Sequence, residues 1–162
     1  MTSPSSEPTL ISDQLRRAFY GEAWHGPGLM ELLEDVDALA AAAKPLPGVH
    51  SIWELVLHVA VWDDAACRRL AGEKWQPTGT ANFPAIPQRA TEAAWRKAVA
   101  YAKRTHDRLV KTVAALSESR LRDRVPGKRY DFCHMLHGVA QHELYHAGQI
   151  AILKKAGSLH EN

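Results

Sequence analysis

The sequence predicts an all-α fold, a four-helix bundle with a broken first helix and one long crossover connection, and three observations carry that expectation. Prolines stand at 4, 8, 27, 45, 47, 77, 84, 87 and 126, which leaves 48–76, 88–125 and 127–162 free of them. A proline inside a helix removes a hydrogen bond and clashes with the preceding turn, so long helices belong in those free stretches. Within them apolar residues recur at three- and four-residue spacing, the helical period. No segment alternates with period two for long enough to make a strand, so helices must pack on helices.

Taken in order, residues 1–10 (MTSPSSEPTL) are polar and read as a disordered tail. Residues 11–157 read as the helical domain and 158–162 as a C-terminal tail. Residues 12–43 have a helical pattern that Trp24-His25-Gly26-Pro27-Gly28 must bend or interrupt. Ser51-Ile-Trp-Glu54 reads as a capping box, the serine accepting from an amide three residues on while the glutamate reaches back. It opens a helix over 51–72 whose stripe is Ile52, Leu55, Val59, Trp62 and Ala66, with Gly72 as its stop. Residues 73–87 hold three prolines and are long enough to cross from one end of the bundle to the other.

From Gln88 to Leu116, Ala94, Trp95, Ala98, Val99, Ala102, Leu109, Val113 and Leu116 form the next stripe. Residues 117–130 suggest a short helical turn and then a basic loop. Asp131 as N-cap and Gly157 as C-cap bound the last helix, with Met135, Val139, His142, His146, Ile150 and Leu153 facing inward. The tryptophans Trp24, Trp53, Trp62, Trp75 and Trp95 are expected in the core.

Composition narrows the function classes. A chain of 162 residues argues for one domain, and 46% hydrophobic with 23% charged residues is ordinary for a globular protein. Lysine and arginine total 20 against 18 acidic residues, so no positive field argues for nucleic acid. No apolar stretch approaches the roughly 20 residues that span a bilayer, and no secretory signal is visible at the start. A cytoplasmic protein with neither membrane nor nucleic-acid partner is expected. Cys67 and Cys133 cannot build a disulfide framework or a cysteine-rich zinc site, and read as small buried hydrophobes.

Four of the nine histidines, His134, His137, His142 and His146, fall within thirteen residues. His142 and His146 are four apart, so on a helix their imidazoles project from one face and can reach a single metal ion. His142-Glu143-Leu144-Tyr145-His146 matches H-E-x-x-H, in which the glutamate of a zinc peptidase is the general base. The extended motif needs glycine at 149 and histidine at 152, where this chain has Gln149 and Ile152, and no strand is present to align a peptide. A better third ligand is His58, a polar ring in the apolar run Leu55-Val56-Leu57-His58-Val59-Ala60-Val61-Trp62. Three histidines from two helices leave coordination positions open, the pattern of a catalytic metal site.

The segments Trp24-His25-Gly26-Pro27, Ser51-Ile-Trp-Glu-Leu-Val-Leu-His58-Val-Ala-Val-Trp62 and Gln141-His142-Glu-Leu-Tyr-His146-Ala-Gly-Gln149-Ile resemble the DinB/YfiT-like superfamily in order and spacing. The resemblance implies a four-helix bundle holding one divalent metal through His58, His142 and His146, often as a homodimer. It also implies a metal-dependent hydrolase or a thiol-dependent S-transferase acting on a small molecule. Zinc is the first choice of metal, with nickel, iron, manganese or cobalt also suited to imidazoles. A low-molecular-weight thiol is the expected cosubstrate if the reaction is S-transfer. The alternatives are a non-catalytic metal- or ligand-binding stress protein and a zinc peptidase.

Around the trio, Glu54 stands one turn before His58 and either orients that imidazole or only caps the helix. Glu143 is the candidate catalytic base, although it lies about 100° around the helix from His142. Trp62 is a candidate pocket wall, and His25, at the break in the first helix, a candidate at the mouth. His134 and His137 are expected toward solvent or in helix packing. Gly138 and Gly148 inside the last helix suggest close helix approach or room for a ligand. Arg120, Arg122, Arg124, Lys128 and Arg129 form either a solvated loop or an attractor for an anionic substrate.

Overall fold

The computed structural model describes residues 6–158. Among them are six helices: α1 (Glu7–Tyr20), α2 (Leu29–Leu32), α3 (Ala38–Ala42), α4 (Ile52–Leu70), α5 (Glu92–Ala114) and α6 (Phe132–Ser158). Short 3-10 turns lie at Gly79–Ala81 and Ser119–Arg122, and the only β pairing among the described residues is two isolated bridges. Among the described residues no helix is long and apolar enough to cross a membrane.

Local chemistry explains the boundaries. Ser51 Oγ accepts from the Glu54 amide at 3.2 Å and Glu54 Oε2 from the Ser51 amide at 2.7 Å, so the expected capping box opens α4. At the far end, the Glu73 amide reaches back to the Arg68 carbonyl at 3.0 Å around Gly72, whose φ is +98°. Asp131 Oδ1 caps α6 by accepting from the His134 amide at 2.9 Å. The helix does not stop at Gly157 but includes Ser158, whose hydroxyl donates to the Lys154 carbonyl at 3.0 Å. Thr91 caps α5, starting it later than Gln88.

Residues 7–10, expected in a disordered tail, form the first turn of α1 instead. Pro8 fits there because the first turn leaves its amide position unpaired in any case, and Glu7 pairs with Arg122 at 3.2 Å. Residues 1–5 of that tail, and 159–162 of the C-terminal one, lie outside the described residues. The break in the first helix begins earlier than Trp24, at Gly21 with φ +124°. Gly21 and Gly28 cross closely enough that a Cβ on Gly28 would stand 2.5 Å from the Gly21 nitrogen.

The long helices α1, α4, α5 and α6 make the bundle. α4 packs on α5 and α6, α1 packs on the same two, and α5 and α6 occupy opposite corners. Trp53 meets Trp95, Asp63 meets His106 and Asp64 pairs with Arg108, so α4 and α5 run parallel. A parallel pair needs its connection to return the length of the bundle, which is what the long linker provides. Two apolar clusters fill the interior. One gathers around Trp53, Trp95, Phe19 and Ile150, the other around Leu15, Leu109, Phe132 and Leu136. Trp24 is a correction to the expected core, being fully exposed on the turn after α1. Cys67 and Cys133 are free and only half-buried.

Candidate metal centre

His58 comes from the middle of α4, and His142 and His146 from successive turns of α6. The His142 Nε2 lies 3.0 Å from the Nε2 of His58 and 3.0 Å from that of His146. Two ligands about 2.0–2.1 Å from one ion, at angles between octahedral and tetrahedral, stand about 2.9–3.4 Å apart. The spacing therefore suits a shared cation.

The far nitrogens strengthen that fit. His58 Nδ1–H donates to the backbone carbonyl of Asn82 at 2.8 Å, and His146 Nδ1–H donates to Gln149 Oε1 at 2.7 Å. With the proton held on Nδ1, both rings present bare lone pairs at Nε2. His142 has at most one Nε2 hydrogen to offer its two neighbours. That one hydrogen cannot serve both 3.0 Å contacts, so at least one Nε2 lone pair is left facing a nitrogen with no donor for it, a deficit that a cation removes.

The protonation states agree. Burial pushes His58 down to about 4, with nearby His146 and His50 adding to the effect against the Asn82 hydrogen bond. Burial and the other two histidines lower His142 to about 3, and burial lowers His146. All three rings are neutral at pH 7, the form that ligates metal.

The surroundings of the trio differ from the sequence expectation in several places. Glu54 is committed to the helix cap, with Lys44 Nζ at 2.9 Å, and the acceptor that orients His58 is Asn82 instead. Asn82 belongs to the linker, where no periodicity marks it. Trp62 stands beside the trio: its Nε1–H donates to Asn82 Oδ1 at 2.9 Å and its ring centre is 5.7 Å from that of His142. Phe83 stacks on His58 at 4.0 Å, so the crossover linker closes over the trio. His25 is exposed and lines a different cavity with Gln14, Arg17 and Ala140, so it does not reach the site's mouth.

Glu143 is the main correction. It is 0% exposed, and its Oε1 lies 3.0 Å from His106 Nδ1 of α5, which also meets Asp63 Oδ2 of α4 at 3.1 Å. One residue further along the helix than His142, it points into the bundle axis, where a base could not meet a substrate. Burial alone would depress His106, but the hydrogen bond to Asp63 and the adjacent Glu143 carboxyl outweigh it and raise the imidazole to about 10. Burial and the Asp63 charge raise Glu143 to about 8. The imidazole is thus held protonated at pH 7, while ionisation of Glu143 is opposed by burial and by its carboxyl neighbour. These three residues were not paired from sequence because each stands alone in its own helix.

Beside the trio opens a cavity of about 340 Å³ lined by His58, His142, Trp62, Met135, Val139 and Gly138, with Arg69, Asn82, Tyr130 and His134. A Cβ on Gly138 would meet nothing within 4 Å, so room rather than close helix packing explains that glycine. His134 is exposed as expected, yet it stands on the cavity rim.

No curated protein and no solved structure matches the chain. The family model of the DinB superfamily matches residues 24–150, which takes in the chain that follows α1, the His58 helix and both histidines of the last helix. By that match over most of its length, the chain belongs to the DinB superfamily.

Proposed function

We propose that this protein is a metal-dependent enzyme acting on a small molecule, with His58, His142 and His146 as the ligands of one divalent cation. The observation that carries this reading is the pair of bare Nε2 lone pairs, those of His58 and His146, converging on His142. When bound, the cation supplies Lewis acidity, which makes a water or a thiol nucleophilic near neutral pH. Zinc remains the first choice of metal.

The chain's own residues favour thiol transfer over hydrolysis. Among the described residues no carboxylate lines the cavity, and Glu143 is turned into the core. A thiol with an ordinary pKa of about 8.5 needs far less help to ionise than water at about 15.7. Asn82 and Gln149 hold two imidazoles in the ligating tautomer. Trp62, Met135 and Val139 provide an apolar wall for a bound thiol and its electrophile to lie against. The buried Glu143 speaks equally against a peptidase.

Elemental analysis of the purified protein tests the ligand set. Wild type is expected to hold a single equivalent of metal, and His58→Ala and His142→Ala to lose most of it while keeping their helical circular dichroism. Metal retained by both variants would sink the proposal. Low-molecular-weight thiols with electrophiles, run against ester and amide panels, then separate the chemistries. Inactivity in both, with metal bound, would leave a non-catalytic metal-binding protein.

A further inference from the structure

The cavity beside the trio contains a cation with no anion to match it. Arg69 of α4 is 4% exposed and its guanidinium lies over the Trp62 ring, 5.4 Å from its centre. Its hydrogen bonds go only to neutral groups: Nε donates to the Trp75 carbonyl at 3.0 Å and Nη2 to Gln76 Oε1 at 2.6 Å. Lys128 Nζ donates to the same Gln76 oxygen at 2.8 Å. Two positive groups thus share one amide oxygen, and among the described residues neither pairs with a carboxylate. Two neighbouring arginines do have carboxylate partners, Arg120 with Asp123 and Arg122 with Glu7.

A buried charge without a partner is costly, because the attraction that would offset its lost hydration is missing. Arg69 Nη1 makes no hydrogen bond among the described residues, and its residue lines the cavity together with His58 and His142. The Trp62 ring bridges the two ends, near the guanidinium on one side and 5.7 Å from the His142 ring on the other.

We infer that the ligand of this cavity is a small organic carboxylate, its anion held by Arg69 with Lys128 nearby and its apolar body lying along Trp62, Met135 and Val139 toward the histidine trio. This rests on the proposed function for the trio's role, but not for the anion itself. One free guanidinium nitrogen carries two N–H donors, which suits a carboxylate and falls short of the larger donor set that a phosphate takes up. The walls are apolar, and the volume fits a body of benzoate size rather than a large cofactor. Gly138 leaves the space above α6 that such a body needs.

Calorimetric titration of the zinc-loaded and the metal-free protein with benzoate and 3-phenylpropionate tests this, with the matching uncharged amides and inorganic phosphate as controls. The carboxylates are expected to bind about tenfold or more tighter than their amides, the value of a charge-assisted hydrogen bond. Arg69→Gln should remove that preference, Lys128→Gln should weaken it by a smaller factor, and Gly138→Leu should block binding, all with zinc content unchanged. Equal binding of acid and amide, phosphate binding at least as tight as the carboxylates, or unaltered affinity in Gly138→Leu would overturn the inference. If Arg69→Gln fails to fold, Gly138→Leu and the acid–amide comparison decide. Arg69-dependent carboxylate binding by a protein that takes up no zinc would remove the metal reading and leave this one standing.

Discussion

A histidine ligates only through a nitrogen that carries a lone pair, so the group on its far nitrogen decides whether it can. His58 and His146 each have that group, a backbone carbonyl for one and Gln149 for the other. Gln149→Leu should keep the fold and lower zinc affinity by about 10–100-fold, the usual loss when a ligand's orienting partner is removed. Competition with a chromophoric chelator would measure it, and an affinity equal to wild type would count against the role. Gln149 could have been read from sequence as a neighbour one turn beyond His146, whereas Asn82 could not. Its carbonyl meets His58 only because a proline-rich linker happens to fold back there. The H-E-x-x-H match was legible too and misleading, since spacing alone cannot say which face of α6 enters the core.

At the scale of the element, α6 carries two glycines with different explanations. Gly138 borders the cavity, whereas Gly148 is exposed and a Cβ there would meet nothing within 4 Å. Gly148→Ala should therefore stabilise the protein by about 1 kcal/mol through helix propensity alone. Thermal unfolding would show the rise, and a fall in melting temperature would mean that the glycine serves a contact outside the chain. The caps at Ser51 and Asp131 were readable because their chemistry is local, a side chain and an amide three residues apart. The start of α1 is not readable in this way, for the opposite reason. Its first turn is held by Glu118 and Arg122, more than 110 residues away in sequence.

Across the whole molecule, Asp63, His106 and Glu143 form a polar layer between the two apolar clusters, with Phe19 stacked on the imidazole at 3.9 Å. The layer ties α4, α5 and α6 together at one height and sits directly behind the trio. His106→Leu leaves two carboxyls buried without their cation and should destabilise by about 3–5 kcal/mol. Replacing all three residues with apolar ones of similar volume should recover most of that loss, since an intact buried ionic group often contributes little net stability. Urea unfolding of both variants is the measurement. A single variant as stable as wild type would show that the layer is not the charge-compensated unit its distances describe.

What the sequence by itself determined is what depends on near neighbours along the chain. Proline placement, apolar period and caps specify the four long helices. A four-residue spacing puts His142 and His146 on one face, and a long linker permits a parallel α4 and α5. The tertiary structure alone decided which groups from different helices meet. It turned Glu143 inward to His106 and brought Asn82 onto His58. It also set Arg69, with no counter-ion among the described residues, in the cavity that the trio opens onto. Backbone hydrogen bonding is local and periodic, so it can be read one segment at a time, whereas burial and charge pairing exist only after segments distant in sequence have packed.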